Sequence, residues 1–419
     1  MKRIELKKTI VILFLLLSKS IVMYATSYYV ATNGNDNNAG TENQPWATWQ
    51  KGFTMAKAGD TVYIRGGIYY PDNNDEYGVY IKGKKGTPEN PVCIFNYPGE
   101  KPVLDCSTIT KTSQNYGLYL QECKYFKVKG LTVKNVSQHN RDQEVYGFST
   151  AYGGPYILEE CISHSNEGPG FFGYDVDSVY LINCDSYNNY DISSGSQGDQ
   201  ADGFVFCYSS QKSYTYYKGC RSWYNSDDGF DCWENEGTVV FDNCWAFNNG
   251  RGINGNGSGF KYGRTIQTPQ AIPQRITMNC LAFKNRFIAF NQNNGNVAMT
   301  FYNNIAYDND GIGYDLSQYN NVLTLRNNIS YDNINIDHFA KSSVHDHNSW
   351  DASPSIIVTN ADFVSVDSTG VSGPRQADGS LPVIDFLKLA DGSDLIDKGT
   401  NVGLPFFGAA PDLGPFEKE

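Results

Sequence analysis

Beyond its first residues the 419-residue chain has no apolar run near the roughly 20 residues that a membrane helix needs, and long amphipathic helical patterns are scarce. The first shortage excludes a membrane span after the N-terminus, and the second argues against a helical bundle. Basic residues are outnumbered, 33 against 45 acidic, and the net charge of −12 argues against a nucleic-acid partner. An anionic substrate is also repelled at long range, so a bound divalent cation or a local basic patch has to supply the attraction. Histidine is rare, and His139, His164, His338, His345 and His347 all map away from the acidic cluster described below. That disfavours zinc.

What is present begins with a basic head, an apolar run from Thr9 to Leu17 and a Met-Tyr-Ala ending suited to cleavage after Ala25. Residues 1–25 are expected to be a signal peptide, which makes the mature chain soluble and either secreted or periplasmic. No cysteine follows the apolar run within that leader, so a lipid anchor is not indicated. Removing five basic residues and one acidic residue moves the net charge from −12 to −16.

The ten cysteines of an exported chain would ordinarily suggest disulfides. Their spacing suggests a repeat instead. Asn135-Val-Ser-Gln-His-Asn140, Cys161-Ile-Ser-His-Ser-Asn166, Cys184-Asp-Ser-Tyr-Asn-Asn189 and Cys220-Arg-Ser-Trp-Tyr-Asn225 share one pattern, which recurs from Cys244, Cys280, Asn304 and Asn328. The basic period is near 24 residues, with two longer steps of 36. Short strands broken by Gly, Asn and Asp at such a period predict a right-handed parallel β-helix. Cys161, Cys184, Cys220, Cys244 and Cys280 then form an interior ladder of stacked thiols, and the Asn residues from Asn140 to Asn333 form a second ladder at a bend. A helix over Ala47–Ala58 is expected to cap the open N-terminal end. Residues 26–419 therefore read as one all-β domain: 26–120 as cap and first coils, 121–350 as regular coils, and 351–419 as a closing C-terminal loop cap. A monomer is expected.

In regular coils an aromatic follows the ladder Asn by five residues, as Phe230 follows Asn225. Phe204 lies fifteen after Asn189 and Phe260 eleven after Asn249, so loops near Tyr190–Ala201 and Gly250–Ser258 project on either side of the coil that contains Asn225-Ser-Asp-Asp-Gly-Phe-Asp231. Three carboxylates in five residues repel one another unless water, a proton or a cation offsets the charge. A solvated turn, a calcium site and a proton-sharing pair all remain open at that point. Aligning on the aromatic stacks Asp202 against Asp228 and places Asp231 beside Lys261, so Asp202, Asp227, Asp228, Asp231 and Lys261 converge on one exposed patch. Four carboxylates without histidine or thiolate favour Ca²⁺, while Lys261 in isolation reads as an ion-pair partner of Asp231.

The set Ala201-Asp-Gly-Phe204, Asn225-Ser-Asp-Asp-Gly-Phe-Asp231 and Gly259-Phe-Lys-Tyr-Gly263, in that order on a β-helix, resembles the pectate lyases and rhamnogalacturonan-cleaving relatives of polysaccharide lyase family 9. The resemblance is best over residues 120–335. It implies a calcium-dependent enzyme that cleaves the galacturonate-containing backbone of pectic polysaccharide by β-elimination, with Asp202, Asp227, Asp228 and Asp231 as calcium ligands and Lys261 as Brønsted base. A lysine acts as a base only when neutral, which implies an alkaline optimum. Trp233, Arg251 and Arg264 are further candidates for sugar contact, against ordinary packing or surface roles. Few basic residues and several tyrosines in the three segments expected to wall the cleft, 190–201, 208–219 and 250–258, favour rhamnogalacturonan I over homogalacturonan. A β-helical pectin hydrolase with Asp227 and Asp228 as acid and base is the alternative, although its usual Gly-His-Gly turn and Arg-x-Lys strand are missing. A non-catalytic carbohydrate-binding solenoid is the other alternative.

Overall fold

The computed structural model describes residues 25–71, 75–265, 274–319, 322–352 and 356–419. The expected leader lies outside them except for Ala25. Short strands recur between turns and stack in parallel register into three sheets, one of 12 strands and two of 10. Each strand pairs with its counterpart one coil on, as Phe171, Phe204, Phe230 and Phe260 do in the second sheet. This is the expected parallel β-helix. Aromatic rings from that register stack face to face inside, with Phe204 to Phe230 at 4.9 Å and Phe230 to Phe260 at 4.8 Å. Such offset stacks add to the gain from burying each ring.

All ten cysteines are free, and the five repeat cysteines are fully buried. The Asn ladder is continuous from Asn166 to Asn333: each side-chain amide donates to the Oδ1 of the next, at 2.8–3.1 Å. Asn304, Asn328 and Asn348 extend the thiol column with their own amide chain. Stacked amides satisfy one another where water is excluded, which holds every bend alike.

The structure corrects the first repeat. Thr132, not Val136, pairs with Ile162, so Leu131 stands level with Cys161 and Val136 takes the ladder place, donating its N–H to Asn166. Asn135 sits outside the column, and Asn140 bonds the Thr112 carbonyl on the surface. The four-residue slip arose because an Asn-x-Ser-x-x-Asn string happens to lie one turn late.

At the N-terminus the helix is shorter than expected, Trp49–Met55, with Trp49 and Phe53 buried and Thr48 capping the Lys51 N–H. Phe53 stacks on Phe126 at the start of the core. The C-terminal segment differs from a closing cap: it runs along the outside of the third sheet. Phe363, Phe386, Leu389 and Leu413 join Trp223, Phe247, Phe283 and Ile305 in a second apolar cluster. Arg375 and Arg221 both grip Asp185, at 2.6 and 2.8 Å. Two arginines on one buried carboxylate tie the strap to the coils with charge-assisted bonds.

Candidate functional site

The second sheet carries a glycine column that decides which side chains reach its outer face. A Cβ on Gly203 would lie 1.9 Å from the Ser222 hydroxyl, and one on Gly229 would lie 2.5 Å from the Gly259 carbonyl. Only glycine fits there, and the backbone turns at it. The residue before each glycine and the residue after the next core aromatic therefore both emerge outward. In the central coils these are Asp202, Asp228 and Ser258 in one column, and Val205, Asp231 and Lys261 in the other.

Register then assembles the site. Asp231 pairs directly with Lys261, and the Asp228 N–H donates to Asp202 at 3.1 Å. Lys261 Nζ lies 2.8 Å from Asp228 Oδ2 and 3.0 Å from Asp231 Oδ2. Asp202, Asp227 and Asp228 each offer a carboxylate oxygen, all within 4.8 Å of one another. Asp231 stands beside this triad as the partner of Lys261, and its Oδ1 is buried without a well-formed hydrogen bond among the described residues.

The expected exposed patch is in fact nearly covered: Asp228 is fully buried, and Lys261 is only 8 % exposed. The two inserted loops fold back over the acidic coil. Asn256 and Ser258 donate backbone N–H groups to Asp227 and Asp228, at 2.6 and 2.5 Å. Asp191, buried in the other loop, accepts from the Ser226 hydroxyl at 3.0 Å. The loops touch where a Cβ on Gly198 would come within 2.4 Å of Gly252.

Burial and mutual repulsion hold Asp202 and Asp227 well above the usual carboxylate range. Burial pushes Asp231 up to about 6, against the opposing pull of Lys261. Burial disfavours the Lys261 ammonium, yet Asp228, Asp231, Asp227 and Asp202 outweigh it and hold the group well above its ordinary value. An all-oxygen donor set short of positive charge, with one buried oxygen lacking a well-formed hydrogen bond, fits a hard divalent cation such as Ca²⁺. No histidine or thiolate belongs to the triad.

The site floors one end of a cleft of about 950 Å³. Trp233 lines it. Arg264 lies over the Trp233 ring at 5.3 Å and beside Glu234, outside the lining, and Arg251 stacks on Tyr224 at 5.0 Å, also outside. Of the loop segments read as cleft walls, 190–201 contributes Asp199 and Gln200, and 250–258 contributes Asn254 and Asn256. In 208–219 only Tyr208 does so, because Tyr214–Lys218 is a strand of the first sheet, where Tyr214 packs on Tyr180. Lys261 is the one cationic side chain lining the cleft among the described residues.

Sequence reasoning missed the other end, where Tyr116, Tyr119, Tyr146 and Phe172 continue the same two outward columns. The signal was available. Tyr77-Gly-Val-Tyr80, Tyr116-Gly-Leu-Tyr119 and Tyr146-Gly-Phe148 align with Asp202-Gly-Phe204 and Asp228-Gly-Phe-Asp231.

Residues 28–349 match the Pel9A-like right-handed β-helix region. The chain is 31 % identical to pectate lyase L of Dickeya chrysanthemi over 93 % of its own length and 90 % of that protein. It is 28 % identical to pectate lyase PEL9 of Emericella nidulans, over 88 % and 94 %. Among solved structures it resembles pectate lyase Pel9A (TM-score 0.76, 30 % identity, 94 % of this chain and 96 % of that one). A rhamnogalacturonan lyase also gives a TM-score of 0.76, at 27 % identity over 87 % and 97 %.

Proposed function

Since the chain belongs to the Pel9A-like right-handed β-helix family and is a polysaccharide lyase, we propose that it is an exported, calcium-dependent enzyme that cleaves the pectic backbone at galacturonate, with rhamnogalacturonan I as its preferred polymer. Asp202, Asp227, Asp228 and Asp231 are the residues to hold Ca²⁺. The ion, when bound, supplies charge neutralisation of the sugar carboxylate, which acidifies the C5 proton, and it also offsets the aspartates that keep Lys261 protonated. Lys261, the one cationic side chain lining the cleft among the described residues, is the base in this reading. Neutral at Nζ, it takes the C5 proton; the electron pair forms the C4–C5 double bond as the C4–O4 bond breaks, the departing O4 takes a proton from water, and a 4,5-unsaturated uronate is left on one fragment. Asp228 and Asp231, at 2.8 and 3.0 Å, orient the amine before transfer and stabilise the ammonium after it.

The observation that carries this reading is the placing of a single buried lysine against a carboxylate cluster with spare oxygens. The polymer preference rests on charge. A backbone with a carboxylate on every sugar calls for several cations along the cleft, and only Lys261 lines it among the described residues. Homogalacturonan is the second reading, favoured by the pectate lyases among the relatives. The test is ultraviolet absorbance of the conjugated product during digestion of both polymers, with Ca²⁺ and with EDTA. Product from rhamnogalacturonan I at the higher initial rate, abolished by EDTA, is expected. Unchanged rates in EDTA would remove calcium, and faster cleavage of polygalacturonate would reverse the preference.

A further inference from the structure

The cleft extends well past the charged site, and its far part has a different chemistry. Tyr152, Tyr174 and Tyr208 stand on successive coils at the C-terminal ends of the strands Val145–Ala151, Phe171–Tyr174 and Phe204–Cys207. They are 40, 37 and 45 % exposed, high for large rings inside a concave surface. Tyr152 and Tyr174 meet edge to face at 5.6 Å, and Tyr174 and Tyr208 are tilted at 5.2 Å, so the three make one wall.

At the opposite ends of two of these strands the cleft is lined by Glu144 and Glu167. Among the described residues no Lys or Arg lines this part. A sugar carboxylate finds no counter-charge at the rings, whereas the apolar face or methyl group of a neutral sugar gains contact with them.

We propose that Tyr152, Tyr174 and Tyr208 form a stacking subsite for uncharged sugars of the substrate chain, beginning about two units from the bond being cut. Two coil steps separate the Tyr208 strand from the Lys261 strand and four separate the Tyr152 strand from it, roughly 10 and 19 Å at ~4.8 Å per step. That span holds several linked sugars, so the subsite selects long chains and fixes which backbone positions are neutral. The inference rests on the pectic reading of the site and deepens it.

Calorimetry in EDTA separates binding from chemistry. The wild type is expected to bind long rhamnogalacturonan I oligosaccharides more tightly than homogalacturonan ones of equal length. The triple variant Tyr152→Ala, Tyr174→Ala, Tyr208→Ala should weaken the former about tenfold, the size that one or two aromatic contacts carry. The matching triple Tyr→Phe variant, which keeps the rings, should restore it. With Ca²⁺ present, the Ala variant should show its loss on long chains in KM rather than kcat, and no loss on fragments too short to reach the wall. Equal affinity of wild type and Ala variant, no measurable wild-type binding, or tighter homogalacturonan binding in EDTA would each overturn the subsite. Absence of unsaturated product from the wild type would instead sink the lyase chemistry, leaving the binding result to decide the subsite.

Discussion

The second sheet presents the same two outward columns in its early and central coils, built on the same glycine turn and the same core position, yet with opposite contents. In the early coils the columns hold Tyr77 and Tyr80, then Tyr116 and Tyr119, which stack on one another at 4.6 Å within each pair. In the central coils they hold Asp202, Asp228, Asp231 and Lys261. A solenoid separates scaffold from function: the register fixes where a side chain points, and the residue at that point is free to vary. What distinguishes the ends is what the cover lies over. The coil of Tyr146 carries an insertion too, since Phe148 lies twelve residues after the ladder place at Val136, but rings need no neutralising partner. The central coils carry two loops that exclude water from carboxylates, which makes each of them demand a proton, a lysine or a cation.

The sharpest way to break this contrast is Lys261→Ala. Turnover should fall by about 10²–10⁴ or more, the range of a general base, with Ca²⁺-dependent thermal stabilisation retained. Residual activity within a few-fold of wild type would reduce Lys261 to an ion-pair partner. Removal of the ligand side, by Asp202→Asn with Asp227→Asn, should abolish both activity and the rise in melting temperature on adding Ca²⁺. A persistent rise would locate the cation elsewhere.

Most of this division was legible in the sequence, and the reasons are physical. A ladder residue such as Asn225 or Cys220 must recur because each coil buries it against its copy, so repetition exposes the fold. Asp231 beside Lys261 followed from strand register alone. Cover was not legible: Asp191 and the backbone N–H groups of Asn256 and Ser258 reach the site through loop shapes that have no period. Nor was Asn140 recognisable as a surface residue, since a chance match to the ladder string looks the same as a true one. The aromatic end was legible and went unread, because Tyr-Gly-Leu and Asp-Gly-Phe differ in chemistry while sharing geometry.

Stability against pH separates the ends more gently. Asp231 is pushed up to about 6 in the folded protein, and Asp202 and Asp227 are also raised. A carboxyl raised by folding favours the folded state below its unfolded pKa and loses that contribution as pH rises through the folded value. In EDTA the melting temperature should therefore drop between about pH 4 and pH 7, and Ca²⁺ should remove the drop at the upper end. A metal-free protein equally stable across that window would mean that the carboxylates are already balanced.

The smallest effect is expected from Tyr80→Ala, in the same column as Asp231 and Lys261 but outside the cleft lining. Its ring stacks on Tyr77 at 4.6 Å and Tyr119 at 5.4 Å, and its hydroxyl donates to Gln121. Two aromatic contacts on a half-exposed face are worth about 1–2 kcal/mol, so denaturant unfolding should report a loss of that size. Ca²⁺ affinity and turnover should stay at the wild-type level, because no charge near the site changes and the backbone register is held by Val79 and Leu118 in the core. If turnover fell with stability, the early coils would be coupled to the charged site through the sheet, and the independence of position and content along the columns would not hold.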